Sequence, residues 1–152
     1  MARFLIMPEF PIHGSPFFDV REFVDHRTWQ LRGIKAAELI DPKIVAVCDL
    51  LREHAGPLTV NNWHNKGRFK SSGFRAVWDN TGGVLSQHRC GRAADVKSKK
   101  YNPGALLLII NKNKPDFIKA GLTCIESLQF TPTWLHLDCR ATGVDDLVFV
   151  MP

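Results

Sequence analysis

The segment SQHRCGRAAD, residues 86–95, sets His88 and Asp95 seven positions apart with Gly91 between them. In a continuous strand an odd separation points two side chains to opposite faces. In a continuous helix they would share a face but lie about 10 Å apart along the axis. A turn at Gly91, the residue free to take an unusual backbone angle, would instead fold both groups toward one centre. Farther on, WLHLDCR (134–140) alternates: as a strand it puts Trp134, His136 and Asp138 on one face and Leu135 and Leu137 on the other. The leucines mark the buried side, so His136 projects from the opposite face. Two histidines and one carboxylate form a catalytic zinc set with a fourth position open to water. Zinc lowers the pKa of that water to about 7.

Such chemistry needs a proton carrier. If GLTCIESLQF (121–130) and WLHLDCR pair as a hairpin across TPT, with Phe130 opposite Trp134, then Leu128 opposes His136 and Glu126 opposes Asp138. Glu126 then lies on the His136 face one diagonal step away, within about 8 Å, where a carboxylate could move a proton to a leaving amine. Asp138 is the reserve carrier, with orientation of His136 or pairing with Arg140 as its other roles. Upstream, Arg75 in SGFR supplies a guanidinium suited to a carboxylate or a peptide carbonyl. Ser86 could bond substrate or a metal ligand, or cap the backbone of its own turn. The remaining histidines, His13, His26, His54 and His64, are read as structural or exposed.

In order, SGFR, SQHRCGRAAD and WLHLDCR resemble the zinc D-alanyl-D-alanine carboxypeptidase family, which includes D-Ala-D-Ala dipeptidases and phage L-alanyl-D-glutamate endopeptidases and shares its fold with hedgehog signalling domains. The residues carrying the resemblance are Ser72, Gly73 and Arg75; Ser86, His88, Gly91, Ala93 and Asp95; and Trp134 and His136. LTVNNW and GRFKSSGFR also look like small phage-encoded members. The resemblance implies zinc on His88, Asp95 and His136, with Arg75 contacting substrate. It implies hydrolysis of stem peptides or cross-links in bacterial peptidoglycan, as an endolysin or a virion-associated protein of a phage or prophage. Several members carry the catalytic acid three or six residues before the last histidine ligand, where this chain has Thr133 and Phe130. Phage-like members place it farther back, where this chain has Glu126. That displacement motivates an alternative: a domain of the same fold that keeps zinc for structure or interaction and has lost catalysis.

The elements that must position these groups are legible in part. Asp41 is an N-cap, Pro42 suits the first helical position and Gly56 can end the helix, with Ile44, Val45, Val47, Cys48 and Leu51 as its apolar stripe. PLTVNNW reads as a strand, HNKGRFKSSGFR as a polar connection and RAADV as a short strand. Asn102 and Pro103 open a second helix, and Pro115 limits the next segment to a turn or a short helix. DLVFVMP is a last strand. Residues 1–16, with three prolines, read as extended or looping. Helices and strands mix without regular βαβ alternation. The expectation is one α+β domain over residues 1–152, a small antiparallel sheet with helices packed on one side.

At 152 residues the chain can bury a core without staples, and 45% hydrophobic with 23% charged residues is ordinary for a globular protein. Its four scattered cysteines form no C-x-x-C pair and read as buried thiols. The opening MARFLIMPEF lacks a cleavage-site pattern, so the product is expected to be made in the cytoplasm and to reach the wall after release. No apolar run is long enough to cross a bilayer. A net charge of +5 suits an anionic wall or nucleic acid. No recognition-helix or aromatic-platform motif favours the latter, so neither nucleic acid nor membrane is expected as a partner, and the chain is expected to be a monomer. KSKK (97–100), the one basic cluster, reads as a solvated loop.

Overall fold

The computed structural model describes residues 6–152; residues 1–5, part of the extended N-terminal segment and of the opening read for a leader, lie outside the described residues. The chain forms helices α1 (His26–Arg32), α2 (Pro42–Ala55), α3 (Pro103–Lys112) and α4 (Lys114–Ala120). Five short strands accompany them: β1 (Leu58–Thr59), β2 (Ala93–Ser98), β3 (Cys124–Glu126), β4 (Leu135–Asp138) and β5 (Val148–Val150). They form one sheet in the order β1-β2-β4-β3-β5. The fold is α+β.

The expected helices form for the expected reasons. The Asp41 side chain accepts from Lys43 N at the start of α2, and Gly56 closes it with φ 77°. Asn102 caps α3 by accepting from Ala105 N. The stripe of α2 and the apolar residues Leu106, Ile110 and Phe117 pack in one core with Ala94, Val96, Ile125, Leu135 and Leu137. Leu135 and Leu137 are fully buried, which fixes the other face of β4 as the one that carries His136.

Three expectations about the sheet are corrected. It is mixed: β1–β2, β2–β4 and β3–β4 are antiparallel, but β5 runs parallel to β3. The loop after Asp138 carries the chain past β3 to that strand's outer edge, so β5, reversed relative to β4, lies parallel to β3. The strand expected over PLTVNNW is only Leu58–Thr59. Asn61 pulls the chain away: its buried side chain accepts from Ser72 N at 2.9 Å and donates to Val24 O at 3.4 Å. Finally, β3 ends at Glu126 because turns at Ser127–Phe130 and Leu128–Thr131 begin early. The partners are therefore Cys124 with Asp138 and Ile125 with Leu137, two residues off the expected hairpin, and Phe130 does not oppose Trp134. A shift of two preserves parity, so Glu126 keeps the His136 face.

Between Asp25 and Leu39 lie two elements without an apolar period to announce them, α1 and a 3-10 helix at Gly33–Leu39. Asp25 caps α1 by accepting from Thr28 N and Thr28 Oγ1.

Candidate metal centre

Asp95 and His136 are direct partners across β2 and β4, on the face opposite Leu135 and Leu137 and away from α2, α3 and α4. His88 arrives from the turn before β2. Gly91 makes that turn with φ 68°, and a Cβ there would lie 1.8 Å from Leu39 O. Only glycine allows the chain to pass Leu39 and re-enter the sheet at Ala93. Asp41 N donates to Gly91 O at 2.9 Å, locking the turn to the start of α2.

The outer nitrogen of each histidine is occupied. His88 Nδ1 donates to Gly73 O at 2.8 Å, and His136 Nε2 donates to Asp138 Oδ2 at 3.0 Å. Gly73 itself can sit there because it has no Cβ, which would fall 2.4 Å from Phe23 O. These bonds fix both tautomers and leave His88 Nε2 and His136 Nδ1 as lone pairs turned inward. Asp95 Oδ1 joins them, 3.3 Å from His88 Nε2 and 2.9 Å from His136 Nδ1, and the two imidazole nitrogens are 3.2 Å apart. The three residues are 2%, 7% and 3% exposed for His88, Asp95 and His136. Three mutually facing acceptors buried together repel unless a cation lies among them. The residues thus fit a metal, and His88, Asp95 and His136 form a buried group that could hold one. Burial pulls His136 down, but hydrogen bonds to Asp138 and Asp95 outweigh it and lift its pKa to about 9. Burial raises Asp95, yet hydrogen bonds from His136 and His88 leave its carboxyl well below the usual range.

The other expected site residues gather around this centre in different ways. Glu126 has its Oε1 3.9 Å from His136 Nδ1 and, by continuation of the β3–β4 register, sits opposite His136 and not opposite Asp138. Asp138 is fully buried and outside the cavity, holding His136 Nε2 and pairing with Arg140 Nη2 at 2.6 Å. It orients the imidazole from behind and does not reach the inward face. Arg75 Nη2 donates to Asp95 Oδ2 at 3.1 Å while Nε donates to Ser71 O at 2.7 Å. Ser86 Oγ accepts from His88 N at 3.3 Å, capping the turn.

A cavity of about 470 Å³ opens over the inward lone pairs, with Arg75, Ser86, Glu126, Phe130, Trp134 and Arg140 in its wall. A second cavity of about 600 Å³ adjoins it, and Arg75, Thr81, Asp95 and Trp134 belong to both. Here the reading of KSKK is corrected. Lys97 is an inward residue of β2, its Nζ donating to Ser72 Oγ at 2.7 Å and to Asp95 O at 2.9 Å. Burial depresses its pKa to about 8 against the opposing pull of Asp95. Odd numbering on a strand that places Asp95 inward also places Lys97 inward, so this signal was present in the sequence. Trp63 donates Nε1–H to Val24 O at 2.7 Å, and Trp78 lies under Arg27; Trp134 alone of the three lines the cavities. All four cysteines are free, with Cys139 facing the core and Cys90 exposed. No helix among the described residues is long and apolar enough to cross a membrane.

No family model matches the chain, and neither the curated proteins nor the solved structures yield a match.

Proposed function

We propose that the protein is a zinc-dependent peptidase that hydrolyses peptide bonds in the stem peptides or cross-links of bacterial peptidoglycan. The observation that carries this reading is the convergence of His88 Nε2, Asp95 Oδ1 and His136 Nδ1, lone pairs inward, beneath a cavity that also holds Glu126. The resemblance of SGFR, SQHRCGRAAD and WLHLDCR to the zinc D-alanyl-D-alanine carboxypeptidase family supports the choice of metal and of substrate.

Zinc held by these three residues would supply a Lewis acid that polarises the scissile carbonyl and acidifies water. The chain's own groups do the rest. Glu126 stands beside the ligand face of His136, where its carboxylate takes a proton from the attacking water and returns it to the departing amine. Asp138 and Gly73 hold the two imidazoles in the tautomers that present lone pairs. Arg75 balances the outer oxygen of Asp95 and borders the cavity, where its guanidinium can face a substrate carbonyl or carboxylate. Trp134 shapes the wall between the two cavities.

The test is incubation of the zinc-loaded chain with purified peptidoglycan of defined chemistry, followed by mass spectrometry of the released products. Peptide fragments with new termini at one bond type support the reading and identify the bond. A fully zinc-loaded chain that releases nothing supports the alternative, a zinc-binding structural or virion-associated domain.

A further inference from the structure

The second cavity is a cationic chamber. Arg68, Lys70, Arg75, Lys97 and Lys99 line it, and among its described lining residues Asp95 is the one carboxylate. That carboxylate is already committed to Arg75 and His136. The chamber therefore offers unneutralised positive charge immediately beside the centre. Lys97 is its inner anchor: Ser72 Oγ and Asp95 O take two of its three N–H groups, and Phe69 lies beneath the ammonium at 4.2 Å. Arg68, Lys70 and Lys99 stand exposed at the rim. A pocket with a fixed ammonium inside and exposed cations at its mouth suits a compact anion.

We propose that this chamber binds a second carboxylate of the substrate, so that the protein selects peptides carrying a free acid group near the bond that is cut. This rests on the peptidase reading for the position of that bond, but the chamber's preference for an acid is a property of its own residues. The shared border of Arg75, Asp95 and Trp134 lets one extended peptide occupy both cavities. An acidic side chain or a free C-terminus of a peptide substrate would supply such a carboxylate. Nucleic-acid phosphates fit less well: of the chamber's two lining aromatic rings Phe69 lies under both Lys97 and Arg68, which leaves Trp134 as the single ring on which a base could stack.

The test is calorimetric binding of two probes to the zinc-loaded full chain: a soluble stem pentapeptide with free carboxylates, and the same peptide with every carboxylate converted to carboxamide. Hydrolysis of each is followed in parallel. The wild type should bind the acid about tenfold more tightly than the amide. Lys97→Met should remove that preference and Lys97→Arg should retain most of it. Lys70→Gln with Lys99→Gln, changes confined to the exposed rim, should reduce the preference without touching the packed interior. Equal binding of acid and amide by the wild type would overturn the chamber assignment, whatever the hydrolysis result. A preference for the acid with no hydrolysis would uphold the chamber and sink the peptidase reading. A single-stranded oligonucleotide that displaces the peptide at equal ionic strength, with loss of that effect in Lys97→Met, would also overturn the assignment.

Discussion

Glu126 Oε1 lies 3.9 Å from His136 Nδ1, across one strand boundary and on the ligand side of the imidazole. On the proposed peptidase reading, a carboxylate there can exchange protons with the reacting groups without displacing any of the three candidate metal ligands. Glu126→Gln should therefore leave zinc content unchanged and lower hydrolysis by about 10²–10⁴-fold. Parallel metal analysis and peptide-release assays check this. Equal loss of zinc and activity would instead make Glu126 a fourth ligand.

Asp138 works from the other side of the same ring. Its carboxylate holds His136 Nε2–H and is itself held by Arg140. Asp138→Asn replaces the acceptor with an amide whose orientation Arg140 contests. Zinc affinity should fall roughly 10- to 100-fold, measured by competition with a chromogenic chelator. An unchanged affinity would mean that the tautomer of His136 is set elsewhere.

The turn at Gly91 is a stability determinant as much as a site determinant. Its φ of 68° and the 1.8 Å approach of a notional Cβ to Leu39 O make Gly91→Ala costly twice over. The left-handed conformation alone costs about 1–2 kcal/mol, and the backbone clash adds to it. Thermal unfolding should show a drop of at least several degrees. A melting temperature within a degree of wild type would contradict the described turn.

Glu22 gives a pH signature away from the candidate metal centre. Burial raises its carboxyl from 4.5 to about 7, against the hydrogen bond from Asp19 N. The folded chain thus holds a proton between those values that the unfolded chain releases. The stability that comes with the neutral form is present in full below about pH 4.5 and is lost as pH rises through about 7. Glu22→Gln, which keeps the acceptor for Asp19 N, should show less destabilisation between pH 5 and pH 8 than the wild type in urea titrations. Parallel curves for the two chains would refute the assignment.

Legibility in the sequence tracks the range of the interactions concerned. Helix α2 was legible because Asp41, Pro42 and Gly56 act within a turn of the residues they cap. The face of His136 was legible because Leu135 and Leu137 alternate with it. The turn at Gly91 came from a spacing that neither regular element could satisfy. Pairings between distant segments were not legible. Nothing local states that Asp95 lies directly opposite His136, or that β5 would take the outer edge of β3 in parallel. The register of Glu126 was displaced by two because the turn after it starts at Ser127, a position that no glycine or proline marks. Lys97 was hidden for another reason: composition placed it with its lysine neighbours, while strand parity placed it with Asp95.

Metal analysis of purified protein addresses the three converging ligands themselves. The wild-type chain should carry about one zinc per molecule, and His88→Ala, Asp95→Ala and His136→Ala should each carry almost none while keeping their far-ultraviolet circular dichroism. Retention of full zinc by any of the three folded variants, or failure of the wild type to bind zinc at all, would contradict the metal centre and the function built on it.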